Sequence, residues 1–129
     1  MLNLTYMLTL AKIDSILISK GFDSSLGYLH TSATDRSALS MDLLELFRGM
    51  LDRFVLKTLN LRVIQKEDFE HDEHGCRLSN KGFHRYIASY TSSIHIHRLT
   101  EQVVERLKSA VLSEKGADQF ELEDMYGLL

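Results

Sequence analysis

The 129 residues are 44% hydrophobic and 26% charged with a net charge of −3, the balance of one globular domain and not of a disordered chain or a cationic nucleic-acid coat. No apolar run reaches the roughly 20 residues of a membrane span, and the apolar start MLNLTYMLTLAKID lacks the basic flank and small-residue cleavage site of a signal peptide. A single cysteine, Cys76, excludes an internal disulfide and fits a cytoplasmic setting, and proline is absent, which permits long unbroken helices.

Residues 2–20, LNLTYMLTLAKIDSILISK, predict a helix apolar on most sides, stopped by Gly21. A helix of that kind is ordinarily buried in something large. Residues 21–36 predict a loop, from Gly21, Gly27 and a cluster of Ser, Thr and Asp. Ser37 is a fair N-cap for a long helix over SALSMDLLELFRGMLDRFVLKTLN. At 100° per residue, Leu39, Leu43, Leu46, Phe47, Met50 and Phe54 share its broad apolar face. Asp42, Glu45, Gly49 and Asp52 fall on the other side, with Arg48 at the edge.

Positions 67–73 then hold five acids, and the Gly75 turn within KEDFEHDEHGCRLSN predicts a small hairpin near residues 68–78, with Phe69 on one arm and Cys76 to Leu78 on the other. Ser79 can cap a helix over NKGFHRYIASYTSS. The alternating IHIHR of residues 94–98 reads as a helix junction or a short strand. A last helix is predicted over TEQVVERLKSAVLSEK, from Thr100, with Val103, Leu107 and Val111 at helical spacing and Gly116 as its stop. The acidic tail ADQFELEDMYGLL suits fraying or docking on a partner. No repeat or linker divides the chain. The fold class is mainly α, a single bundle-like domain over residues 1–129 with one hairpin.

The chemistry concentrates in the acidic stripe. Asp42 and Glu45 are three apart and project from one side of the helix. Carboxylates that close repel, and beside so broad an apolar face they are costly unless an arginine, a shared proton or a divalent cation relieves them. Oxygen ligands suit Mg2+ or Mn2+, and an added imidazole favours Mn2+. His30, ahead of the helix, is the candidate imidazole. The bland alternative is a solvated face near a helix start, where acids also complement the dipole. His71, His74 and Cys76 in HDEHGC have zinc-like spacing but lack the further ligands of a four-coordinate site. Arg48, Arg53, Lys57, Arg62 and Lys66 form a basic run that either balances acids or holds a phosphate backbone.

The segments LNLTYMLTLAK, GFDSSLGYLH, SALSMDLLELFR, LDRFVLKTLN and EDF…GCRLSNKG resemble, in this order, the C-terminal helical domain of the CRISPR-associated integrase, or "Cas one", family. That family carries an L-N-Y-x-Y-like helix, a G-x-D-P-x-L-G-F-L-H segment and an S-L-x-x-D-L-x-E-x-F-R-P helix followed by a D-R pair. The resemblance covers essentially the whole chain. It implies a divalent-metal-dependent DNA endonuclease and integrase that inserts spacers into a repeat array by transesterification, in antiviral defence.

Carried over residue by residue, the resemblance places metal and catalytic roles on His30, Asp42 and Glu45, with Mg2+ or Mn2+ as cofactor. It places DNA contacts on Arg48, with Asn3 and Tyr6 matching the first helix and Arg53 the D-R pair. The implied partners are DNA, further copies of the chain or an upstream integrase polypeptide, and the small "Cas two" protein. The family's third ligand, a glutamate, lies upstream of the L-N-Y-x-Y segment with which this sequence begins. Its N-terminal β-rich domain is likewise not in the sequence, so the expectation is a truncated member, incomplete as an enzyme alone. The alternative is a non-catalytic DNA-binding or interaction module that keeps the fold. Ser24 and Gly49 replace family prolines, and Leu4 and Thr5 replace the Tyr-Gly of the first motif.

Overall fold

The computed structural model describes residues 1–27, 37–73 and 75–113. Among these, four α-helices frame one antiparallel hairpin: α1 (Leu2–Ser19), α2 (Ala38–Asn60), β1 (Phe69–Asp72), β2 (Gly75–Leu78), α3 (Asn80–Thr91) and α4 (Ile94–Leu112). The chain is therefore mainly α with a small hairpin, as its patterning predicts.

The core lies where α1, α2 and α4 meet, built from Ile13, Leu17, Leu43, Phe47, Leu51 and Val104 among others. A smaller apolar cluster of Val55, Ile64 and Tyr86, with Met1, Leu4, Phe69 and Leu78 against it, joins the start of α1 to the hairpin and α3.

Gly21 ends α1 at φ +86°. The Phe22 N–H bonds the Leu17 carbonyl and the Gly21 N–H that of Ile18, both at 3.0 Å, and Phe22 packs on the core. This is the closure that a residue in the left-handed region makes possible. The Leu39 N–H then bonds the Ser24 carbonyl at 2.9 Å, pinning the segment after α1 to the start of α2. Arg62, at φ 54°, closes the end of α2 in the same way, with Arg62 N–H to Leu59 and Val63 N–H to Thr58.

The buried side of α1 is apolar toward its end, at Ile13, Ile16 and Leu17, and polar toward its start. Thr5 and Thr9 are both fully buried there, while Met7 and Ile18 are 69% and 60% exposed. The threonines face α3: Thr5 Oγ1 shares a hydrogen bond with the Tyr86 hydroxyl, and Thr9 Oγ1 meets the Tyr90 hydroxyl at 2.9 Å. Each threonine also bonds a carbonyl one turn back, those of Met1 and Thr5. Phe54 stacks edge-on and tilted against the same two tyrosines, at 6.1 and 6.0 Å. An all-round apolar helix is thus oriented by directional bonds.

Two expectations change. Residues 94–98 are neither strand nor junction but the first turns of α4, and the break falls at Ser92–Ser93. Ile96, Leu99, Thr100, Val103 and Val104 are all buried. Their spacing of three and four belongs to one helix, and it outweighs the two-residue alternation. On α2, Leu44, Leu51 and Val55 are buried as well, and Asp42, expected on the polar side, is 9% exposed. The hairpin has the register Phe69↔Leu78, Glu70↔Arg77, His71↔Cys76 and Asp72↔Gly75. Ser79 caps α3 as predicted, its hydroxyl accepting from the Gly82 N–H at 3.1 Å. Gly116 and the acidic tail lie outside the described residues.

Candidate functional site

The acidic stripe of α2 is crossed by α1, which packs antiparallel to it: Ser40 donates to the Asp14 carboxylate at 2.8 Å at one end, and Tyr6 donates to Asp52 Oδ1 at the other. Between these contacts lie the residues that the sequence singles out. Asp42 stands one turn into α2, buried and engaged in an interaction. Burial without such a contact would cost an ionised carboxylate several kcal/mol, on the order of what any unpaired buried charge costs.

Glu45, one turn on, is half-exposed, and its Oε2 lies 3.3 Å from Arg48 Nε. The Arg48 guanidinium carbon in turn stands 5.4 Å from the centroid of the Tyr6 ring, within the range of a cation–π contact. The bond donated to Asp52 raises the Tyr6 phenol above its ordinary pKa; desolvation and the charges of Asp52 and Glu45 add to the rise, and Arg48 opposes it. Tyr6 is therefore a neutral donor at physiological pH.

The structure thus gathers three residues expected from the sequence, Glu45, Arg48 and Tyr6, into one chain of contacts ending on Asp52. In the sequence Asp52 stands out as a member of the polar stripe and of the D-R pair, but its partner lies on another helix, so no local spacing marks their contact. Asn3 is exposed, one turn before Tyr6 on α1. Arg53 is exposed and its Nε donates to the Gly49 carbonyl at 3.3 Å. His30 lies outside the described residues.

At the stripe the described residues supply the buried carboxylate of Asp42, the exposed one of Glu45 and that of Asp52, which Tyr6 engages. No group of three His, Cys, Asp or Glu that could hold a metal forms among the described residues. Their oxygen chemistry suits Mg2+ or Mn2+. Of the zinc-like residues, His71 and Cys76 face each other across the hairpin and line a groove of about 630 Å3 with Leu59, Arg62, Lys66 and Phe69, and His74 lies outside the described residues. No helix among the described residues is long and apolar enough to cross a membrane.

Comparison with known proteins places this arrangement in a family. The model for CRISPR associated protein Cas1 matches residues 1–92. The CRISPR-associated endonuclease Cas1 3 of Thermus thermophilus is 33% identical over 74% of this chain and 29% of its own length. The CRISPR-associated endonuclease Cas1 4 of Methanospirillum hungatei is 35% identical over 70% of the chain and 25% of its own length.

Among solved structures, TM1797, a CAS1 protein from Thermotoga maritima, shares the fold with a TM-score of 0.75 at 24% identity, over 88% of this chain and 39% of that one. A casposase bound to integration product matches with a TM-score of 0.69 at 25% identity, over 95% of this chain and 39% of the other. The chain spans between a quarter and a third of the length of these two curated relatives. The residues matched by the family model run through α1, the stripe of α2, the hairpin and α3, and on that match the chain belongs to the Cas1 family.

Proposed function

We propose that this chain contributes the helical part of a divalent-metal-dependent centre for cutting and joining DNA strands, of the kind used in spacer acquisition. The observation that carries this reading is the burial of Asp42. Asp42 and Glu45 are the two acids of the α2 stripe that the family resemblance makes metal ligands, and of the two Asp42 is withdrawn from solvent while Glu45 stays at the surface. A carboxylate in that setting favours a nearby cation.

Mg2+ or Mn2+ would be held by Asp42 with His30 and Glu45, and when bound it supplies Lewis acidity toward a phosphodiester and activation of a water or a 3′-hydroxyl. The chain's own residues would hold the DNA. Arg48 and Arg53 offer guanidinium forks to phosphate oxygens, with Asn3 and Tyr6 beside them on α1. The glutamate that the family resemblance adds to the ligand set is not among the residues of this sequence. Assembly with further copies and with a Cas two protein, in the cytoplasm, belongs to the same proposal.

Titration of the chain with Mn2+, followed by electron paramagnetic resonance, tests it. Wild type should bind, and Asp42→Ala and His30→Ala should each weaken binding about tenfold or more; equal binding by all three sinks the assignment.

A second reading, a non-catalytic DNA-binding or interaction module, is favoured by the pairing of Glu45 with Arg48, which spends one candidate ligand on a cation. That reading expects branched DNA to be bound equally in EDTA and in Mn2+, where the first expects tighter binding with Mn2+.

A further inference from the structure

Resting on the proposed DNA-joining role, we infer that Asp52 is a positioning residue: it fixes the Tyr6 ring as a platform that seats the Arg48 guanidinium as a phosphodiester clamp. A phenol carries one proton, and Tyr6 donates it to Asp52 Oδ1. A phosphate oxygen only accepts, so Tyr6 held in this way has no hydrogen bond to give to DNA. Its contribution is the ring face, over which Arg48 stands at 5.4 Å.

Glu45 holds the Nε edge of the same guanidinium at 3.3 Å. A guanidinium has five N–H donors in a planar fork, so the edge taken by Glu45 leaves the two terminal nitrogens to grip a phosphate side by side. Arg48 is 55% exposed, which keeps it open to a strand. It lies six residues beyond Asp42, about 9 Å of helix rise, on the side of α2 that α1 crosses.

A long flexible side chain ordinarily loses rotamer freedom when it captures a phosphate. Here the ring and the Glu45 carboxylate have restricted it before the strand arrives, and Asp52 restricts the ring. The acid therefore works in a direction opposite to its charge. A carboxylate beside a DNA path repels phosphates, and its removal would ordinarily tighten binding. Asp52 instead aids binding, through Tyr6.

The test uses the full chain and a fluorescently labelled branched DNA in EDTA, so that metal binding does not enter. Asp52→Ala and Tyr6→Phe, which keeps the ring and removes the bond, should each weaken binding about three- to tenfold. Asp52→Asn, whose amide oxygen still accepts from Tyr6 while the repelling charge is gone, should bind at least as tightly as wild type. In an Arg48→Ala background Asp52→Ala should cause no further loss of binding, because the clamp it serves is gone. Thermal melting by circular dichroism confirms that each variant is folded, and if Asp52→Ala is not, Tyr6→Phe carries the test.

Tighter or unchanged binding by Asp52→Ala and Tyr6→Phe, or an equal loss with and without Arg48, overturns the inference, as does wild type that does not bind. Failure of the metal assignment shows separately, as Mn2+ affinity unaltered by Asp42→Ala.

Discussion

The carboxylate of Asp68 and the guanidinium of Arg85 meet at 2.7 Å, with the Asp68 side chain only 6% exposed. The other reach of the carboxylate is to the Gln65 N–H at 2.9 Å, and the Asp68 carbonyl accepts from the Ser79 N–H at 2.8 Å. One residue thus ties the turn after α2, the foot of the hairpin and the start of α3. Asp68→Ala removes the anion and leaves the guanidinium and an N–H without their partner. Breaking a buried pair from one side costs about 3–5 kcal/mol, and the partial exposure of Arg85 brings the expectation to about 2–3 kcal/mol. Urea denaturation followed by circular dichroism measures it.

Gly82 and Gly49 are both glycines inside helices, and replacing each by alanine should act in opposite directions. A Cβ on Gly82 would stand 2.5 Å from the Asp68 carbonyl oxygen and 2.8 Å from its Cβ, so the hairpin foot must move away from α3. Gly82→Ala should destabilise by about 1–3 kcal/mol. A Cβ on Gly49 meets nothing within 4 Å, and Gly49→Ala should stabilise by about 0.5–1 kcal/mol through helix propensity. Melting temperatures that move the same way for both variants would contradict this account.

Arg62 occupies the left-handed position at the end of α2, with φ 54°, where glycine is the usual occupant. Arg62→Gly should therefore raise stability by up to about 1 kcal/mol, a rise of a few degrees in the melting temperature of a chain this size. Arg62→Val, β-branched at the same backbone angle, should lower it.

Burial raises the pKa values of Tyr86 and Tyr90, and the bonds to Thr5 and Thr9 oppose that rise in part. Their folded values lie above the unfolded value of about 10, so their protonated forms favour the folded state. That contribution is fully present below the unfolded pKa and is lost as pH rises through the folded one. Unfolding free energy should be insensitive to these groups up to about pH 10 and should fall above it. Phenolate absorbance from both residues should then appear together with the loss of helical signal. Independent, non-cooperative ionisation of all five tyrosines would contradict the buried Thr–Tyr contacts.

The helices were legible in the sequence wherever apolar residues recur at three and four. Gly21, Ser79 and the Phe69 and Leu78 arms of the hairpin were legible because turns and caps are local chemistry. The start of α4 is hidden by the alternation in Ile94–His97, which is too short to outweigh a helical pattern whose evidence lies downstream. The acids were harder. Asp42, Asp52 and Asp68 all sit in stretches that read as polar faces or charge runs. What separates them is a tertiary partner or burial: Asp52 meets Tyr6 of α1, Asp68 meets Arg85 of α3, and Asp42 is withdrawn from solvent. For the candidate site, Glu45 is legible from its spacing after Asp42, Arg48 from the basic run and Tyr6 from the family motif; their mutual contacts follow from the crossing of α1 over α2, which neither spacing nor motif records.

The paired contacts of Thr5 with Tyr86 and Thr9 with Tyr90 repeat after four residues on both helices, so they form two rungs one turn apart. Sliding α1 along α3 by a full turn would match only one threonine with a tyrosine, and any smaller slip would match neither. Alignment is therefore encoded twice in a few hydroxyl groups, independently of how greasy the remaining positions of α1 are. Freed from specifying where the helix sits, Met7 and Ile18 on its outer side can drift in sequence without shifting the scaffold that carries Tyr6 to α2.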